Sequence, residues 1–219
     1  MENIIFIAPP AAGKGTLSNM LIDHYHMPHI STGDLLRDEV KEDTEEAHAL
    51  KEKMEAGLLI SDDIILNLLT KRITKEDCNN GYILDGFPRT VKQARAYDEM
   101  LEKLEKPLGK VIYLGVNKET ARKRIVGRIS CPNCKAVYNE LIPNAKPKVS
   151  GICDKCGHTL VKRSDDNEET FQVRFDTYLE NTEPLIHYYE DKGVLYRIPD
   201  DLDKDDAYQE VVKIMIGGN

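Results

Sequence analysis

Strands and helices alternate along this 219-residue chain in the order that builds a parallel β-sheet with helices on both faces, an α/β fold. Three observations predict it. A short apolar run, Ile4 to Ile7, has the length and β-branched content of a buried strand, and it feeds a small-residue loop ending in Gly13-Lys14-Gly15-Thr16. Further buried-type runs recur at Gly81 to Asp85, Lys110 to Val116 and Leu195 to Ile198. The stretches between them carry apolar residues at helical spacing.

In chain order, Thr16 to Tyr25 reads as a helix with Leu17, Met20 and Leu21 on one side. Pro28 precedes a turn into Ser31-Thr32-Gly33-Asp34, a hydroxyl followed three residues later by an acid, which starts a second helix carrying Arg37. A helix over Glu45 to Ala56 stops at Gly57. Ser61-Asp62-Asp63 caps the next, whose stripe is Ile64, Ile65, Leu68, Leu69 and Ile73. Val91 to Lys106 is amphipathic, with Val91, Ala94, Leu101 and Leu104 inward. The helix from Lys118 to about Gly127 carries Arg124, and Arg128 follows on the same face. A long helix from about Asn167 bears Arg174 and is kinked near Pro184, then an acidic loop (Asp200 to Asp206) leads to a terminal helix, Ala207 to Ile216. His24, His26 and His29 share no ligand spacing and read as core or surface residues, and Cys78 as a small buried one.

A strand, a small-residue loop and a helix in succession bring backbone N–H groups and the positive end of a helix dipole onto one anion, and Lys14 reaches the same place. The expected ligand is a nucleotide polyphosphate. The match to Gly-x-x-x-x-Gly-Lys-Ser/Thr is imperfect, since Ala8 stands at the first glycine and Gly15 separates Lys14 from Thr16. The strand ending at Asp85 places a carboxylate where a parallel sheet meets its ligand, near magnesium, and the turn through Gly86 and Pro88 aims Arg89 back at that point.

Composition narrows the classes. With 41% hydrophobic and 31% charged residues the chain is an ordinary globular one, and a net charge of −8 argues against a broad nucleic-acid footprint. No apolar run approaches membrane-spanning length and Ile4 to Ala8 is too short for a signal peptide, so no membrane role and a cytoplasmic location are expected. Four of the five cysteines pair as Cys131-x-x-Cys134 and Cys153-x-x-Cys156, eighteen residues apart, the pattern of a four-thiolate zinc site. The segment around them is rich in Pro and Gly and cannot build its own hydrophobic core. Structural zinc, at an apparent ~10 to 16 kcal/mol, is the expected substitute, making a small lid inserted into the main domain.

Taken together these residues resemble one family, the long-lid bacterial adenylate kinases among the nucleoside monophosphate kinases, from Asn3 to about Ile216. The pieces that carry the resemblance are GKGT at Gly13 to Thr16, STGDLLR at Ser31 to Arg37, DGFPRT at Asp85 to Thr90, the four cysteines, and DDNEET at Asp165 to Thr170. It implies a P-loop NTPase fold with a five-stranded parallel sheet. Core residues would be 1–30, 61–126 and 165–219, with an AMP-binding insertion at 31–60 and a zinc-ribbon-like lid at 127–164. The implied reaction is reversible transfer of the ATP γ-phosphoryl group to AMP, giving two ADP, by a monomer using Mg²⁺ with ATP.

By the same resemblance Lys14 would contact the ATP β- and γ-phosphates, with the amides of Ala11, Ala12, Gly13, Gly15 and Thr16 around them. Arg89, Arg124, Arg163 and Arg174 would neutralise the transferring group and the AMP phosphate, Arg128 would serve the ATP side, and Asp85 would hold magnesium-bound waters. Thr32, Arg37, Leu58, Leu59, Ile60, Gly86, Phe87, Pro88 and Gln93 would form the AMP pocket, and Val137, Tyr138 and Leu202 would lie along the ATP adenosine. So many cations imply that lid and AMP-binding insertion close only over substrate. Family members usually have glycine at Ala8 and Ala11. If either needs positive φ, alanine costs roughly 1 to 2 kcal/mol, and its Cβ crowds the phosphate. Two rival readings follow, a UMP/CMP-type kinase, disfavoured by Thr32 and Gln93, and a weakly active nucleotide-binding protein.

Overall fold

The computed structural model describes residues 2–41, 44–45, 47–48, 50–51, 60–162, 166–200 and 202–217. Its strands are β1 (Ile4–Ile7), β2 (His29–Ser31), β3 (Ile83–Asp85), β4 (Lys110–Leu114), β5 (Arg128–Ser130), β6 (Val137–Asn139) and β7 (Leu195–Ile198). Its labelled helices are α1 (Lys14–Tyr25), α2 (Thr32–Glu39), α3 (Asp62–Ile73), α4 (Val91–Lys103), α5 (Lys118–Val126), α6 (Glu168–Thr177), α7 (Pro184–Asp191) and α8 (Lys204–Met215). Residues 45, 47, 48, 50 and 51 are also helical, and the rest of the helix expected to run to Ala56 lies outside the described residues.

Five parallel strands form one sheet in the order β2-β3-β1-β4-β7. Every residue of β1 is buried, which is what a central strand covered on both faces requires. One layer of core joins Ile5, Ile7, Ile30, Leu84 and Val111 of the strands to Leu69 and Ile73 of α3, Ala94, Tyr97 and Leu101 of α4, and Leu185 and Tyr189 of α7. Each Ile, Leu or Val among them stabilises the fold by roughly 1.5 to 3 kcal/mol when fully buried. Buried Tyr82 and Tyr97 satisfy each other through hydroxyls 2.6 Å apart. Elsewhere α1 meets α8, where His24 packs edge-on against Tyr208.

The chain divides into two compact units. One comprises Met1–Ile7, Gly13–Leu114 and Asn181–Asn219 and contains the sheet; the other comprises Ala8–Ala12 and Gly115–Glu180. Within the second, Ala121 and Ile125 of α5 pack on Phe171 and Phe175 of α6. Hairpin β5-β6 pairs Ile129 with Tyr138, and beside it a cluster of Ile129, Cys131, Cys153 and Leu160 is the small core of the cysteine segment.

Local chemistry departs from the sequence expectation in four places. Residues 29–31, read as a turn after Pro28, form strand β2; its three residues pair with β3 through backbone bonds that a pattern so short cannot announce. The acidic loop ends early, because Asp203 accepts hydrogen bonds from the amides of Asp205 and Asp206 at 2.8 and 2.9 Å and starts α8 at Lys204. The Ser61 side chain makes no capping bond to α3. The expected kink is a π-helical stretch, Tyr178–Thr182, and Pro184 opens α7, where its missing N–H costs nothing.

Candidate active site

Within the sheet-bearing unit the site begins where α1 does. Gly13 occupies the cap position at φ 103°, which only glycine adopts without strain, and it offers no side-chain oxygen to the helix. The positive end of α1 is therefore left for a ligand. Gly15 has an ordinary φ, yet a Cβ there would meet nothing within 4 Å among the described residues; the space beside the first turn is open. Lys14 lies 4.0 Å from Asp85, the last residue of β3, which stands opposite Phe6 of β1. Both belong to the carboxyl edge of adjacent parallel strands, where open α/β sheets bind ligands.

Charge at this point is tuned by burial and neighbours. Burial pushes the Asp85 pKa up, but His29, Lys14 and Arg89 outweigh it and hold the carboxyl below its ordinary value. Burial also pulls the Lys14 ammonium below its ordinary value, against the opposing pull of Asp85, with Arg89 adding to the fall. His29 Nε2 stands 3.7 Å from Asp85, an ion-pair distance longer than a hydrogen bond. The sequence treats His29 as unremarkable; only the pairing of β2 with β3 brings it here. An ionised carboxylate fits a hard cation such as Mg²⁺ that keeps most of its waters.

A second group of expected residues is also assembled in this unit. Gly86, at φ 81°, directs its carbonyl to accept from Thr32 Oγ1 at 3.1 Å and Arg89 Nε at 2.9 Å. Arg89 N donates to Gln93 Oε1 at 2.8 Å, and Gln93 Nε2 donates to Asp62 at 2.9 Å. Asp62, a cap in the sequence reading, instead fixes the Gln93 amide, and Gln93 and Lys92 together hold its carboxyl below the ordinary value. Thr32, Leu35, Leu36, Ile65 and Leu68 line a narrow apolar crevice with no room for a water molecule. Phe87 is buried in the core, edge-on to Tyr97, and precedes Pro88 through a cis bond. Arg37 pairs with Asp34 at 2.5 Å on the exposed side of α2. Ile60 and Leu202 are half-buried, whereas Leu58, Leu59 and Arg163 lie outside the described residues.

Within the second unit, the two alanines of the loop differ. Ala11 has φ 59°, in the left-handed region, and Ala8 does not. The Ala11 side chain packs against the α5-α6 cluster, and its carbonyl accepts from Arg124 at 3.2 Å. Ala12 N reaches back to the Pro9 carbonyl at 3.4 Å. Arg128 grips buried Asp166 through two bonds of 2.8 and 2.6 Å, a fork geometry that fixes the guanidinium. Arg174 lies in the last turn of α6. Nothing in the sequence pattern points to Asp166 as a partner.

In the same unit Cys131, Cys134, Cys153 and Cys156 bring their sulfur atoms within 4.8 Å of one another. Tetrahedral zinc with Zn–S bonds of about 2.3 Å needs sulfurs about 3.8 Å apart, so the set fits a four-thiolate site. Val137 is exposed and Tyr138 half-buried on β6. Asn139 is buried and fully bonded: its amide donates to the Lys123 and Arg124 carbonyls at the end of α5, and its oxygen accepts from Leu141 and Ile142. A Cβ on Gly127 would come within 2.3 Å of that oxygen, which explains the glycine.

Comparison with known proteins follows the same outline. The family model described as adenylate kinase matches residues 6–194. A protein named adenylate kinase from Thermosipho africanus is 45% identical over 213 residues, covering 97% of this chain and 99% of that protein. Its namesake from Archaeoglobus fulgidus is 45% identical over 97% of each chain, and that from Clostridioides difficile 43% identical over 98% of this chain and 99% of its own.

Proposed function

This chain belongs to the adenylate kinase family, and from that premise we propose how its own residues accomplish the family's reaction, reversible phosphoryl transfer from ATP to AMP giving two ADP. The observation that carries the reading is the glycine-capped start of α1 with Lys14 4.0 Å from an ionised Asp85 at the carboxyl edge of the sheet.

Phosphoryl transfer asks for positioning and charge neutralisation rather than covalent help. A phosphate monoester is already largely dianionic near neutral pH, so AMP needs no general base. In this reading the amides of Ala11 to Thr16 and the Lys14 ammonium hold the ATP β- and γ-phosphates. Lys14, kept below its ordinary pKa by burial, carries a charge poorly screened by water, which raises its value to an anion. Arg89, Arg124, Arg163 and Arg174 neutralise the transferring group and the AMP phosphate, and Arg128 serves ATP. Mg²⁺, when bound with ATP, neutralises phosphate charge, and Asp85 would hold its water ligands. Thr32 and Gln93, both fixed by hydrogen bonds, present the polar edge of the AMP pocket, and the neighbouring Leu35, Leu36, Ile65 and Leu68 would have to part to take the base. Arg37 reaches the AMP phosphate on leaving Asp34, and the stretch Leu58 to Ile60, Gly86, Phe87 and Pro88 contributes backbone. Val137, Tyr138 and Leu202 flank the ATP adenosine.

The four thiolates would hold a structural zinc ion that substitutes for a hydrophobic core in the 127–164 lid. The remaining organisation follows the family pattern, with residues 31–60 as the AMP-binding insertion. We also take the protein to act as a cytoplasmic monomer on free nucleotides. The net charge of −8 supports the absence of nucleic acid as a partner, and no described helix is long and apolar enough to cross a membrane. ADP formation from MgATP and AMP, followed with a coupled assay over AMP, UMP, CMP and GMP, tests the reading. AMP should be preferred by at least about 100-fold, since a site built to bond one base rejects others by leaving polar groups unpaired; equal rates with UMP or CMP would overturn the AMP assignment.

A further inference from the structure

Tyr138 makes contacts that a role along the nucleotide does not explain. Its residue on β6 stands opposite Ile129 of β5, and the ring packs beside the cluster of Ile129, Cys131, Cys153 and Leu160. The phenol oxygen accepts the Asp154 amide at 2.8 Å and lies 3.5 Å from Cys153 Sγ. A phenol has one proton to donate. With its oxygen already accepting from an amide, that proton is directed at the sulfur of Cys153, which is only 2% exposed. The same hydroxyl thus joins the two halves of the cysteine segment, the β5-β6 hairpin whose connection carries Cys131 and Cys134 and the Cys153-x-x-Cys156 knuckle.

We propose that Tyr138 is a positioning residue of the metal centre, its hydroxyl donating to the Cys153 thiolate and thereby governing how fast the metal leaves and how strongly that sulfur gives charge to it. The inference rests on the reading of the four cysteines as a zinc site. Hydrogen bonds to metal ligands orient them and tune the metal, and their loss typically costs 10- to 100-fold in affinity. A thiolate that accepts an O–H bond holds its lone pair lower in energy. Removing the bond raises the pair and moves sulfur-to-metal charge transfer to lower energy, while the Cys153 side chain, no longer held in place, is free to swing off the metal.

The full chain and its Tyr138→Phe variant are purified with zinc, and metal release to an excess of chromogenic chelator is timed. The variant should release zinc about 10-fold faster or more. Cobalt-substituted protein should show its thiolate-to-Co(II) band at lower energy in the variant. Should the variant not fold, full chain carrying ring-fluorinated tyrosine keeps every side chain in place with a more acidic phenol, and its cobalt band should move to higher energy instead. Wild-type protein that binds no stoichiometric metal would sink the four-thiolate reading and this inference together. Metal bound normally, with a cobalt band unmoved in the variant or the fluorinated protein, would overturn the role of Tyr138 alone, even if release quickened.

Discussion

The two loop alanines show how one substitution type acts differently at two backbone positions. Ala11 sits at φ 59°, which costs a residue with a Cβ roughly 1 to 2 kcal/mol, although its packing on α5 and α6 offsets part of that. Ala8 is buried in an ordinary conformation. Opposite signs are therefore expected in urea denaturation. Ala11→Gly should gain up to about 1 kcal/mol, and Ala8→Gly should lose about 1 kcal/mol through a missing methyl and a freer unfolded chain. Equal losses in both would show that Ala11 carries no strain. Any tightening of ATP on restoring both glycines belongs on this account to Ala11. Asp85 supplies a second prediction. Its folded pKa is depressed, so its stabilisation is complete above the unfolded value of about 3.9 and disappears as pH falls through the folded value. Asp85→Asn should flatten the stability profile below about pH 4; a profile parallel to that of wild type would mean the carboxyl is not perturbed. The glycine-capped start of α1 and the approach of Lys14 to Asp85 were legible because a strand, a small-residue loop and a helix in succession fix where glycine, cation and acid stand. His29 beside Asp85 and Asp166 under Arg128 were not legible, since strand pairing and chain folding, not spacing, create those contacts.

Among elements, the strands of the sheet interior could be read directly because burial on both faces writes a continuous apolar run. Edge strand β2 and the hairpin β5-β6, three residues per strand, are held by backbone pairing and by the cysteine knuckles rather than by any periodic pattern. Helix starts were legible where a side chain caps, as Ser31, Thr90 and Asn167 do, and misread where an acidic run hid the cap at Asp203. The cysteine segment has so small a core that its order should depend on metal. Stripping zinc with a chelator should abolish amide-exchange protection across residues 128–161 while β1 and β4 stay protected. Unchanged protection in the stripped protein would mean that the segment folds without a metal. Asn139→Ala in the metal-loaded protein should cost about 1 to 3 kcal/mol, because it leaves the Lys123 and Arg124 carbonyls and the Leu141 and Ile142 amides without their buried partner. A change below about 0.5 kcal/mol in urea unfolding would show that water replaces those bonds readily.

For the whole molecule, the parallel order β2-β3-β1-β4-β7 places the carboxyl ends of β1 and β3 side by side, and Lys14 at the start of α1 lies 4.0 Å from the acid ending β3. The proposed chemistry rests on fixed charge: a helix start with no side-chain cap, a lysine denied part of its solvent, and an acid held below its ordinary pKa by its neighbours. The most direct test is the rate of ADP formation from MgATP and AMP, measured for wild-type protein and Lys14→Ala under identical conditions. Wild type should turn over steadily, and the variant should be slower by about 100- to 1,000-fold while keeping its thermal unfolding transition. ADP formation that survives undiminished in Lys14→Ala, or is absent from wild type, would contradict the account.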